Sequence, residues 1–171
     1  MKHASAQQVL QALPTRQSYQ AKLRIPCAVL GVRTQAQHVI GLEFLPIDAG
    51  TLNPQDAFTH EVCAQLMAYV RDADFQFDLP LQFSATPHRS KVWQAMRAIP
   101  RGEARTYGEL AQQLGSSPRA VGGACGDNPI PVIIPCHRVV AKNGVGGFMH
   151  HASGGPLAIK AWLLQHEGWR P

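Results

Sequence analysis

Cys136 and His137 adjoin in the run Ile130-Pro131-Val132-Ile133-Ile134-Pro135-Cys136-His137-Arg138-Val139-Val140-Ala141. A thiol next to an imidazole is the minimum for nucleophilic chemistry, because the thiolate attacks and the imidazole can take its proton. The β-branched apolar flanks mark the segment as interior. Burial raises a thiol's pKa and silences it, so a reactive Cys136 needs a base, a cation or a helix N-terminus against it. Adjacent side chains on extended backbone point to opposite faces, so Cys136 and His137 meet only across a turn or through a bridging water. A buried structural cysteine is the competing reading. Asp127 and Asn128, just before two prolines, read as turn residues, and Glu167 reads as a carboxylate at a helix end.

Cysteines 27, 63, 125 and 136 form no Cys-x-x-Cys pair, and no histidine spacing completes a zinc pattern, so no metal is expected. Free thiols are the default in a reducing compartment. No apolar run approaches the ~18 residues that span a bilayer, and residues 1–8 lack the apolar stretch of a signal peptide. The sequence thus reads as cytoplasmic, with no membrane association.

The elements that must position these residues divide near Ser84-Ala85-Thr86-Pro87. Residues 1–20 are polar and Gln-rich, a partly ordered lead-in. Residues 22–33 and 38–45 are apolar and β-rich around the turn 34–37, which predicts a hairpin. Val62, Leu66, Met67 and Val70 have helical spacing within 56–70, and Phe75, Phe77 and Leu79 alternate as in a strand. The first half, 1–85, is expected to be a small α/β scaffold domain without chemistry.

In the second half, 86–171, Val92, Trp93, Met96 and Ile99 share a helical face that Pro100 ends. Thr106 caps a helix that Gly115 stops, and Pro118 opens another through Cys125. The pair reads as a helix-turn-helix or as an ordinary helical hairpin. The second of these helices carries Ala120, Gly122, Gly123 and Ala124, poor helix formers that suit close approach of a DNA groove or of another helix. The expected fold class is α+β: a small N-terminal α/β domain, then a mainly helical domain with the helix-turn-helix and the Cys136 turn. Charge follows the division. Residues 1–80 hold 6 Lys/Arg against 7 Asp/Glu, and residues 81–171 hold 10 against 4, so the second half is where a polyanion would bind.

Pro135-Cys136-His137-Arg138-Val139-Val140 resembles the active-site signature of the O6-alkylguanine-DNA alkyltransferases (methylated-DNA–protein-cysteine methyltransferases). Arg119–Ala124, Asn128-Pro129-Ile130-Pro131 and Lys160–Gly168 fall in the family's order, so the resemblance covers roughly residues 86–168. It implies stoichiometric, irreversible transfer of an alkyl group from O6-alkylguanine in duplex DNA to Cys136, after the nucleotide is flipped out. In that pattern His137 deprotonates Cys136 through a water, Glu167 orients His137, Asn128 braces the turn, and Tyr107 protonates the departing guanine. Arg119 fills the stack, Ala120, Gly122 and Gly123 lie close to the minor groove, backbone at Cys136 and Val139 reads the base, and Phe148 lines the pocket. The resemblance implies no cofactor, double-stranded DNA as partner, no obligatory protein partner, and a monomer.

The chain departs from the pattern in a shorter turn before Arg119, a longer loop from Gly146 to Gly155, and His88 where an aromatic residue is usual. A lesion-binding relative that does not transfer is one rival reading; such proteins lack the cysteine that is present here. A thiol hydrolase using Cys136 and His137 is the other.

Overall fold

The computed structural model describes residues 18–171. Most of the polar lead-in lies outside the described residues, but its end is tied to the sheet. Gln20 donates its backbone N–H to Val32 O at 2.8 Å, and its side-chain oxygen accepts from Thr34 N at 2.9 Å.

The architecture is α+β, as expected, with two differences, both in the first half. Strands β1 (Ala21–Ile25), β2 (Ala28–Gln35) and β3 (His38–Leu45) form an antiparallel sheet in the order β1-β2-β3. The stretch 22–33 is therefore two strands rather than one. Pro26 fixes φ and cannot donate to a ladder, so the chain reverses at Pro26-Cys27 and pairs Ile25 with Ala28. The β2–β3 turn pairs Gln35 with His38, and Ala36 and Gln37 both take left-handed φ (47° and 61°), the conformation of a tight hairpin turn. β2 is central, so Ala28–Val32 is buried on both faces instead of alternating.

Helix α1 (Ala57–Arg71) is capped by Asp56, whose carboxylate accepts from Thr59 N at 2.8 Å, and it buries Val62, Leu66 and Tyr69. The strand expected at Phe75–Leu79 does not form. Pro80 lacks an N–H, so no ladder propagates; contact with the sheet shrinks to the bridge between Leu81 and Val39. Phe75 and Phe77 pack near Tyr69 instead, with Tyr69 and Phe77 ring centres 5.5 Å apart.

Helix α2 (Pro87–Arg97) starts at Thr86 with Pro87 in its first turn. Helix α3 (Tyr107–Leu114) has a reciprocal capping box between Thr106 and Glu109 and ends on left-handed Gly115 (φ 61°). Helix α4 (Pro118–Gly126) is capped by Ser117. Trp93 of α2 donates its indole N–H to Ala124 O at 2.8 Å, which locks α4 against α2. His88, on α2, bonds the Ser116 hydroxyl in the α3–α4 turn at 2.9 Å, a polar contact where an aromatic residue could only pack. Two-residue strands β4 (Arg105–Thr106) and β5 (Val139–Val140) pair in parallel and join the start of α3 to the segment after Cys136. Helix α5 (Gly155–His166) closes the fold. One buried apolar cluster runs from Ile25, Leu30 and Leu66 through Val92, Met96 and Leu110 to Ile134, Val139 and Leu163, so both halves share a core.

Candidate active site

Cys136 opens a single 3₁₀ turn, Cys136–Arg138, rather than sitting on a strand. A 3₁₀ turn frees the two side chains from the opposite-face arrangement that extended backbone imposes. The preceding loop is tightly braced. Asn128 donates Nδ2 to Ile134 O at 2.7 Å and accepts from Ile130 N at 3.0 Å, while Ile134 N and Cys136 N donate to Ile130 O and Ile134 O, both at 2.9 Å. Inside this loop Val132 is held at φ 74°. A β-branched residue there costs ~1–3 kcal/mol and persists only where surrounding contacts over-determine it. Those contacts are the Asn128 bridge and the bond from Leu42 N of β3 to Pro129 O at 2.9 Å.

His137 is fully buried. Its Nε2 lies 2.9 Å from Glu167 Oε1, and its Nδ1 is, among the described residues, the one buried side-chain polar atom without a partner. Glu167 is a carboxylate held well below the usual range: burial works against the charge, and hydrogen bonds from His137 and Arg138 outweigh it. Beside a carboxylate Nε2 is the protonated nitrogen, which leaves Nδ1 as a base. Burial holds His137 below the ordinary imidazole value of 6.5 even against the pull of Glu167. Arg138 grips Glu167 with two bonds of 2.9 Å, Nε to Oε2 and Nη2 to Oε1, and donates Nη1 to Ile99 O at 2.6 Å.

Burial pushes the Cys136 thiol up to about 11, against the opposing influence of the Asn128 hydrogen bond and the Lys160 charge. Four pH units separate that value from neutrality, about 5 kcal/mol, so the thiol is the resting form. Lys160 is buried among oxygens: Val139 O at 2.6 Å, Gly147 O at 2.8 Å and Tyr107 OH at 3.4 Å. Burial draws its ammonium down to about 8. Tyr107 donates to Gly147 O at 3.2 Å, and burial keeps its phenol above the ordinary range and hence protonated.

Cys136, Tyr107, Gly122 and Phe148 line one cavity of about 290 Å³, together with Cys125 and Met149. That volume is near the lower bound of ~300 Å³ for small-molecule sites. Asn128, His137 and Glu167 stand behind it as buried supports. Val139 is buried too, its carbonyl taken by Lys160. Arg119 and Ala120 do not line the cavity; they are exposed on the first turn of α4. Gly123 faces open space, whereas a Cβ on Gly122 would stand 4.0 Å from the Tyr107 ring.

The loop 146–155 forms a tight turn over the cavity. Phe148 and His151 exchange backbone bonds of 2.8 and 2.9 Å, and Met149 and His150 take left-handed φ. His150 bonds Asp127 at 2.8 Å and lies over Gly126, where a Cβ would come within 2.4 Å of its ring; Arg89 pairs with the same Asp127. Gly126 therefore serves a close approach inside the protein itself.

Sequence reading missed the structural roles of Arg138, Lys160 and Tyr69, whose hydroxyl also reaches Glu167. Lys160 was open to detection: it stands three and four residues before Leu163 and Leu164, on the buried stripe of α5.

Residues 87–169 match the family model described as "6-O-methylguanine DNA methyltransferase, DNA binding domain". The chain is 46% identical over 93 residues to the methylated-DNA–protein-cysteine methyltransferase of Shigella flexneri, covering 53% of this chain and 52% of that protein. It thus spans about half the length of that relative. It is 35% identical over 143 residues to the enzyme of that name from Saccharolobus islandicus, covering 84% of this chain and 91% of the relative. The fold matches the crystal structure of Mycobacterium tuberculosis O6-methylguanine methyltransferase at TM-score 0.73 and 34% identity, over 90% of this chain and 94% of that one. The structure of that protein in complex with DNA matches at TM-score 0.71 and 34% identity, over 86% and 91%. Joined to a buried Cys136–His137–Glu167 assembly at the end of α5, these likenesses show that the chain belongs to the methylated-DNA–protein-cysteine methyltransferase family.

Proposed function

We propose that the protein repairs DNA by moving an alkyl group from O6-alkylguanine onto Cys136, once per chain. The observation that carries this reading is the partnerless, buried Nδ1 of His137 on an imidazole held by Glu167. A cysteine near 11 needs a base at hand, and this nitrogen faces inward with its lone pair free.

In the proposed reaction His137 Nδ1 takes the Cys136 proton through a water, with Glu167 fixing the ring and stabilising the imidazolium that forms. Lys160 offers the thiolate a nearby cation. Sulfur attacks the alkyl carbon in line, the S–C bond forms as the C–O6 bond breaks, and the electron pair leaves on guanine. Tyr107, neutral and at the cavity wall, donates the proton that guanine needs; the proton on His137 then replaces it. The product is a thioether, which explains a single turnover without any cofactor.

An O6 atom inside a duplex is out of reach of a sulfur in a 290 Å³ cavity, so the nucleotide must be extruded at a cost of a few kcal/mol. Exposed Arg119 at the start of α4 is the side chain we assign to the gap left in the stack. Ala120 and Gly123 leave the outer face of α4 low enough to approach the minor groove, the backbone of Cys136 and Val139 reads the base, and Phe148 closes the pocket. We assign 1–85 as the scaffold domain and 86–171 as the domain carrying the DNA face, joined across the common core, with double-stranded DNA bearing the lesion as partner. Four free cysteines suit the cytoplasm we assign to it. Among the described residues no helix is long and apolar enough to cross a membrane.

The test is to mix wild type and Cys136→Ala with an O6-methylguanine duplex and record intact mass and binding. The expected result is one added methylene on wild-type chains, mapped to Cys136, with none on Cys136→Ala and near-equal DNA affinity for both. Tight binding without any adduct on wild type would mean a lesion-binding protein instead.

A further inference from the structure

The N-terminal half, expected to be mere scaffold, reaches the Glu167 carboxylate through one side chain. Tyr69 lies on the last full turn of α1, only 3% exposed, and its hydroxyl donates to Glu167 Oε1 at 2.9 Å. That same oxygen accepts from His137 Nε2 and from Arg138 Nη2, both at 2.9 Å. Two further links tie the same region to the end of α5. His166 bonds the Tyr69 carbonyl at 2.7 Å. Asp74, just past α1, pairs with Arg101, which donates to the Glu167 carbonyl at 3.2 Å. Glu167 is thus held at its side chain by Tyr69 directly and at its carbonyl by Arg101, which Asp74 pairs, so a segment remote in sequence bears on both.

We infer that Tyr69 is a positioning residue for alkyl transfer, its hydroxyl fixing Glu167 and through it the orientation and basicity of His137; this rests on the reading proposed above. Packing alone does not account for the hydroxyl. Phe77 and His166 contact the Tyr69 ring, at 5.5 and 5.1 Å between centres, and a phenylalanine would keep both contacts. Chemistry gives the hydroxyl a direction of effect. A carboxylate oxygen shared among three donors is a weaker acceptor for each than one shared between two. Loss of the Tyr69 donor concentrates charge on the bond to His137 and favours the imidazolium. The charged and titratable groups around the ring are Glu167, Arg138 and Lys160, with the Cys136 thiol adjoining in sequence, and those around the phenol are Glu167, Arg138, Cys27 and His166. Only the Tyr69 hydroxyl changes in Tyr69→Phe.

The experiment is an NMR titration of the His137 imidazole nitrogens in the full chain, wild type against Tyr69→Phe. It reads His137 directly, whether or not the protein transfers alkyl groups. The expected result is a titration midpoint that moves to higher pH in Tyr69→Phe, with the acid side of the single-turnover rate on O6-benzylguanine moving the same way. At neutral pH that rate should fall roughly tenfold, the loss of a hydrogen bond to a charged group. Should Tyr69→Phe fold poorly, 3-fluorotyrosine placed at position 69 keeps the shape and strengthens the donor; the His137 midpoint must then move to lower pH. An unchanged His137 titration in the folded variant overturns the inference, even if its rate falls. A wild type that titrates as described but transfers nothing would defeat the proposed function while leaving the link from Tyr69 to His137 intact.

Discussion

In the proposed reaction His137 sets the acid side of the chemistry, because only a neutral imidazole can accept a thiol proton. Burial holds it below 6.5, so the single-turnover rate should stay level as pH falls through 6.5 and decline only further down. A pH profile on free O6-benzylguanine, where DNA binding plays no part, checks this; a rate already halved at pH 6.5 would contradict it. Glu167 adds a stability counterpart. Its folded carboxyl lies well below the ordinary 4.5, so its contribution is fully present above 4.5 and is lost progressively as pH falls below 4.5 toward the folded value. His137 acts in the same sense: its folded value is below 6.5, so protons bind the unfolded chain first as pH drops. Urea unfolding at pH 7 and pH 4 should therefore give a lower midpoint at pH 4. Glu167→Gln should cut the transfer rate at least tenfold and destabilise the fold by about 3 kcal/mol, because Arg138 is left without its charge partner in a buried site. An unchanged rate would remove Glu167 from its role.

At the scale of elements, two contacts govern the cavity. Lys160 ties α5 to β5 and to the loop 146–155 through Val139 O and Gly147 O. Lys160→Met strands both carbonyls, and we expect a loss of about 2–3 kcal/mol, read as a lower unfolding midpoint, together with slower transfer. The lip is held by His150 against Asp127. Asp127→Asn should loosen that clip, raise the rate on bulky O6-benzylguanine relative to O6-methylguanine, and leave stability within ~0.5 kcal/mol, as for an exposed pair. An unchanged ratio of the two rates would show that the clip does not gate the cavity.

Much at this scale was legible in the sequence. The cap at Thr106, the helix start at Pro118, the stop at Gly115 and the stripe Val92-Trp93-Met96 all carry local rules, and the helices follow them. The break at Pro26 and the failed strand at Phe75–Leu79 were set by single prolines within β-rich runs, where alternation alone is a poor guide. Cys136, His137, Asn128 and Glu167 were legible through their motif order. Tyr69 was not, because its partner lies 98 residues away and nothing local marks a helical tyrosine as a donor to a distant carboxylate.

For the whole molecule, charge and core pull in different directions. The excess of positive charge lies in residues 81–171, so duplex affinity should fall steeply with salt, and Arg119→Ala should weaken reaction on duplex DNA far more than on free O6-benzylguanine. Equal losses on the two substrates would argue against a stack-filling role for Arg119. The core, by contrast, is shared: Leu42 braces the loop at Pro129, Phe44 packs on Phe148 at 5.8 Å, and Tyr69 holds Glu167. Residues 86–171 expressed alone should therefore unfold at lower denaturant than the full chain and transfer poorly even to the free base.

The most direct test is stoichiometric. The protein is incubated with excess duplex containing one radiolabelled O6-methylguanine, and label on protein is followed to completion. The expected result is a plateau at one methyl per chain, all of it on Cys136, with guanine restored in the DNA. Label that continues to accumulate beyond one per chain, or that leaves the protein again, would contradict a single irreversible transfer; no label at all, with the lesion still tightly bound, would contradict transfer itself.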